Sequence, residues 1–136
     1  MKKLFLAALL AISVSTFAQT SYEKAMIDKI AQVEQHKKSD EFTALTNDFT
    51  RIGDKEKNQW LPYYYAAFTN IQKGRIAMRE RKMTELDAIA AEAQKPLDLA
   101  MGLSKDNAEL LILQKMIHSL KMMVDPQSRF MSEGML

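Results

Sequence analysis

Trp60-Leu61-Pro62-Tyr63-Tyr64-Tyr65-Ala66-Ala67-Phe68-Thr69-Asn70-Ile71 is the stretch whose reading decides the fold. Pro62 has no amide proton, a loss that costs nothing only in the first turn of a helix, so a helix opens here. Leu61, Tyr64, Phe68 and Ile71 then recur at three and four, one stripe of that helix. Tyr63, Ala66, Ala67 and Asn70 lie partly to its side, and the small residues among them allow close helix approach. A helix apolar on more than one side belongs in the interior, with other helices packed around it.

Working outward, the same spacing repeats. Tyr22, Met26, Ile30 and Val33 mark a helix over about 21–37, with Thr20 as N-cap and Glu23 closing a capping box. Phe42, Leu45, Phe49 and Ile52 mark a second, capped by Ser39 and ended by Gly53. The short connection between them predicts an antiparallel hairpin. After the central helix a fourth runs from about Thr84 to Leu103, with Leu86, Ile89, Ala93, Leu97 and Ala100 inward and Pro96 expected to kink or interrupt it. The fifth carries Leu110, Leu113, Ile117, Leu120 and Val124 behind an Asp106–Glu109 capping box and stops at Asp125-Pro126. From Gln127 a sixth begins with Phe130, Met131 and Met135. It reaches Leu136 with no cap and no partner helix, which reads as an array incomplete at its C-terminus and disposed to self-association.

The N-terminus has a different grammar. Lys2 and Lys3 precede an uncharged apolar run from Leu4 to Val14, and Thr16 and Ala18 suit a signal peptidase. The run is too short to span a bilayer. The expectation is a signal peptide over residues 1–18, cleavage before Gln19, and one exported domain over residues 19–136, periplasmic or secreted, with no stable membrane anchor. Without cysteine there is no lipid attachment, disulfide or thiolate chemistry. Of the 19 basic side chains Lys2 and Lys3 leave with the leader, which balances the rest against the 17 acidic ones. A chain so balanced lacks the positive field on which nonspecific nucleic-acid binding depends, so nucleic acid is not an expected partner.

The pattern of an early Trp, later Tyr and small residues, then spaced alanines resembles a worn tetratricopeptide repeat. Trp60 to Ala67 resembles its first helix; Ala93, Leu97, Ala100 and the Leu103-Ser104-Lys105-Asp106-Asn107-Ala108 junction resemble its second helix and exit turn. The usual glycine is replaced by Tyr63-Tyr64, and Lys105 stands where the exit proline falls. The chain is also similar to small exported tetratricopeptide-repeat-like (TPR-like) helical proteins of Bacteroidetes-type bacteria, through the leader ending Ala18-Gln19, the Trp60-Leu61-Pro62-Tyr63-Tyr64 segment and Asp125-Pro126. The resemblance implies an all-α fold of about five to six helices, stacked as antiparallel pairs, and an extracytoplasmic role in protein or peptide binding.

Within that frame the aromatic cluster is the densest local signal. Trp60, Tyr63, Tyr64 and Tyr65 are candidate partner-binding residues, since Trp and Tyr are enriched at binding hot spots, although such a cluster also fills seams between helix pairs. Arg75 and Arg79, in a basic run broken only by Glu80, are candidates for an acidic partner; a solvated helix end is the plainer reading except at Arg75, which continues the stripe of Phe68 and Ile71 and is placed to snorkel or pair there. Met116, His118, Met122 and Met123 offer soft ligands of the kind Cu(I) takes, yet methionine also fills irregular cores, so no metal and no cofactor is expected. An exported holdase-like coiled coil is the alternative class; Gly53, Pro62 and Pro126 interrupt the heptads it needs. With only two histidines, four glycines and no catalytic motif, the chain is not expected to be an enzyme.

Overall fold

The computed structural model describes residues 21–133; the leader, its cleavage site and Met135 lie outside them. Those residues are all-α. Helix α1 covers 21–35, α2 Ser39–Glu56, α3 Leu61–Arg79, α4 Leu86–Leu103, α5 Ala108–Met122 and α6 Pro126–Glu133, with a 3-10 turn at Met83–Glu85 ahead of α4. No helix among the described residues is long and apolar enough to cross a membrane.

Pairing follows from the side chains that meet. Lys29 reaches Asp48 at 2.7 Å, which sets α1 antiparallel to α2 across the short turn. Thr46 meets Thr69, Phe49 stacks on Tyr65, and Asp54 accepts from Tyr63. As one number rises the other falls, so α2 and α3 are antiparallel. Gln94 and Gln114 join α4 to α5. Tyr64 feels Glu109 at one end of α5 and Gly74 abuts Leu120 at the other, so α5 runs parallel to α3.

The central helix divides the core in two. Ala66 and Ile76 of α3 pack with Met26, Phe42, Leu45 and Phe49 of α1 and α2. Tyr63, Ala67, Ile71 and Ala77 pack with Leu86, Ala90, Ala93 and Leu97 of α4 and Leu110, Leu113, Ile117 and Leu120 of α5. Interior placement of α3 was the expectation from its apolar residues on several sides. Its buried Thr69 meets the half-buried Thr46 of α2 at 2.6 Å.

Several boundaries differ from the sequence reading, each for a local reason. Gly53 does not end α2, which continues to Glu56 and closes at Lys57 in the left-handed region, φ 64°. The N-terminal cap of α2 comes from Glu41 rather than Ser39: its Oε2 accepts from the amides of Lys37 and Lys38, 3.0 Å each. At α5 the cap is Asn107, which accepts from the Glu109 amide at 3.0 Å, while Asp106 turns through φ 54°. The 3-10 turn takes up Thr84. Pro96 lies buried in an unbroken α4. Asp125-Pro126 ends one helix and opens the next, Asp125 accepting from the Ser128 amide at 3.3 Å with Pro126 in the first turn.

Candidate functional site

A ridge of large side chains runs the length of α3. Trp60, Tyr64 and Phe68 follow at intervals of one turn, the first pair edge to face with ring centres 5.9 Å apart and the second stacked at 6.3 Å. Tyr65 stands edge-on to both Tyr64 and Phe68 and stacks on Phe49 of α2 at 5.2 Å. Such offset and edge-on arrangements align ring edges with ring faces and fix the cluster's shape. All four ridge rings are half-buried, rooted in the core and open on one side.

Tyr63 leaves this group. One residue of helix turns it about 100° away, and it is buried, 6% exposed, beside Gly53 with its hydroxyl donating to Asp54 at 2.7 Å. Burial first, then the hydrogen bond and the charge of Asp54, push its phenol up to about 12. Tyr64 and Tyr65 are also raised, by burial and then by Glu109, which places their hydroxyls near the start of α5.

Beyond Phe68 the ridge becomes basic. Gln72, Arg75 and Arg79 continue it by turns, and both arginines are exposed. Neither forms an ion pair or hydrogen bond among the described residues. Between them and α1 lies a depression of about 490 Å³ bordered by Val33, His36, Phe42, Phe68 and Ile76. Its cations are Lys37, Arg75 and Arg79; its one acid is Glu34. Across the ridge a second depression of about 490 Å³ lies between α3 and α5, apolar except for Arg75 and Ser119, with Ile71, Met78, Met116 and Leu120. Arg75 therefore stands between two hollows, flanked by aromatic and aliphatic surface.

The structure thus gathers Trp60, Tyr64, Tyr65, Arg75 and Arg79 on one side of α3 and sends Tyr63 elsewhere. Sequence reasoning missed Phe42 and His36, which meet edge to face at 6.4 Å and complete the wall opposite Arg75. They come from another helix pair, and no local spacing ties them to α3. Met116, Met122 and Met123 border the second hollow, whereas His118 borders a separate patch beside Leu111 and Ile112. Among the described residues no three His, Cys, Asp or Glu side chains cluster as a metal site. Comparison of the chain with protein-family models, curated proteins and solved structures gives no match.

Proposed function

We propose that this chain is a non-catalytic, exported adaptor of stacked, TPR-like helix pairs that captures an acidic peptide segment carrying apolar side chains. Support for the stacking comes from α5, which packs on its neighbour α4 and also parallel to α3, as a second pair does when laid on a first. The observation that carries the binding role is the unpaired Arg75 and Arg79, one turn apart, beside the hollow floored by Phe68, Phe42 and Ile76. Exposed guanidinium groups without internal partners suit carboxylates, which they bind through planar forks. The adjoining rings supply the apolar contact that charge alone does not, and export places the adaptor where envelope or secreted proteins are its partners.

Selection of displayed random peptides on the folded protein tests this. The enriched sequences are expected to combine Asp or Glu with Phe, Leu or Trp. Replacing both arginines (R75E/R79E) is expected to weaken the selected peptides by roughly tenfold or more, since like charges then face each other across the site. Enrichment without acidic residues, or undiminished binding in the double variant, overturns the proposal.

A further inference from the structure

On the side of α3 turned away from the ridge, Tyr63, Asn70 and Lys73 floor a cavity of about 400 Å³ walled by α2 and α4. Asn70 lies in mid-helix and is 4% exposed, yet its carboxamide takes no part in any hydrogen bond among the described residues. No sealed side-chain polar atom among these residues lacks a partner, so the Asn70 amide must open onto the cavity. Its situation contrasts with that of Gln94 and Gln114, whose carboxamides bond each other reciprocally at 2.8 Å.

Apart from Asn47 and Lys95, which stand at the exposed rim, the rest of the lining has little hydrogen bonding left to offer as donor. Thr43 donates to the Ser39 carbonyl at 3.1 Å and Thr50 to the Thr46 carbonyl at 2.8 Å. Thr69 directs its proton to the Tyr65 and Ala66 carbonyls, which leaves Thr46 to donate to Thr69. The Tyr63 proton goes to Asp54. Pro96 has no amide proton, and with Leu99 it forms an apolar stretch of wall. Lys73, its side chain 15% exposed, pairs with Glu92 at 3.6 Å, so these two charges offset each other. What remains away from the exposed rim is one buried, unpaired donor and acceptor set, the Asn70 carboxamide, in a largely apolar hollow.

We infer that this cavity binds a small neutral amide on an apolar body, about the size of a capped amino acid. A carboxamide presents two N–H donors beside an acceptor oxygen, and a ligand amide laid alongside Asn70 answers both. The ligand's apolar part then rests on Tyr63, Pro96 and Leu99. The volume falls within the range of about 300–1,000 Å³ common for small-molecule sites. The site is independent of the peptide surface, which lies about half a helical turn away around α3.

Titration of the isotopically labelled chain with N-acetyl-leucinamide, followed by NMR at the Asn70 side-chain amide, tests the inference. Saturable shifts are expected at Asn70 and along the Thr46 to Thr50 wall. Asn70→Leu is expected to weaken binding roughly tenfold or more, the loss that follows when one complementary hydrogen-bonding partner is removed. Leu99→Trp, at a rim position 52% exposed, is expected to block the cavity with the fold intact, so the outcome stands even if Asn70→Leu folds poorly. Peptides selected on the other face should bind either variant unchanged. Shifts that fail to saturate, that persist in Leu99→Trp, or that map to the Trp60 to Phe68 ridge overturn the inference, and a water-filled cavity is then all that Asn70 faces.

Discussion

Gly53 has no room for a side chain: a Cβ placed there would lie 2.8 Å from Cε1 and Cζ of Tyr63. The ring cannot easily yield, because it is buried and its hydroxyl is fixed on Asp54 one residue along α2. Gly53→Ala therefore sets two effects against each other. Alanine favours the helix by about 1 kcal/mol over glycine, while overpacking a fixed ring costs about 1–3 kcal/mol. Displacement of the ring is expected to win, lowering the midpoint of chemical denaturation; a raised midpoint would show that Tyr63 moves freely. Sequence alone gave the opposite reading of this glycine, as a helix end. Glycine after an apolar stripe signals a C′ position, but a close approach by a residue of another helix leaves the same letter in the chain. Arg79 was legible as an exposed basic position because charge at a helix end is a local property. Arg75 continues the stripe of Phe68 and Ile71, where snorkelling or pairing was expected, and it stands exposed without an ion pair among the described residues. Asn70 was visible only as a polar residue among alanines, since its lack of a partner depends on how four threonines of α2 and α3 dispose their protons.

At the scale of the helix, periodicity located every α-helix among the described residues and failed at the edges, where caps decide. Ser39 was the natural cap for α2 by residue type, yet Glu41, reaching back to two lysine amides, does that work. The last helix shows how a short element is held by contacts that no periodicity reveals. Arg129 forms a forked pair with Asp87 at 2.6 and 2.9 Å and also donates to the Lys121 carbonyl, tying α6 to α4 and α5. The hydrogen bond from Arg129 holds the Asp87 carboxyl below its ordinary value of 3.8, and bonds from Ser128 lower Asp125 in the same way. A carboxylate with a depressed folded pKa stabilises above its unfolded value and loses that contribution as pH falls through the folded one. Docking of α6 is thus expected to be complete at neutral pH and to fail below about pH 4, ahead of the remaining helices. Asp87→Asn should mimic acid at neutral pH, speeding amide exchange in α6 while changing global stability by less than about 1 kcal/mol, as for exposed ion pairs. Unchanged exchange in that variant would assign the hold on α6 to packing alone.

Across the whole molecule the decisive feature is that one helix serves two cores. Going along α3, Ala66 and Ile76 belong to the cluster with α1 and α2, while Tyr63, Ala67, Ile71 and Ala77 belong to the cluster with α4 and α5. The two sets alternate along the same turns, so α3 cannot unwind from one cluster and keep its form in the other. The two Thr residues joining α2 to α3 and the Leu120 contact at Gly74 reinforce this from either side. A stack of independent helix pairs would melt from its ends, as a one-dimensional array does. Here residues 21–122 are expected to unfold in one step, with Trp60 emission, which reports the larger cluster, and far-ultraviolet circular dichroism, which reports all helices, giving coincident transitions. Two core truncations sharpen the test. Leu45→Ala in the smaller cluster and Leu113→Ala in the larger, both 1% exposed, should each cost on the order of 2–5 kcal/mol. If α3 couples the clusters, Leu45→Ala shifts the Trp60 transition by the same interval as the helical one, although Leu45 lies in the other cluster. A Trp60 transition left in place by Leu45→Ala would mean that α1 and α2 come away first, and that the unit which folds is α3 to α5.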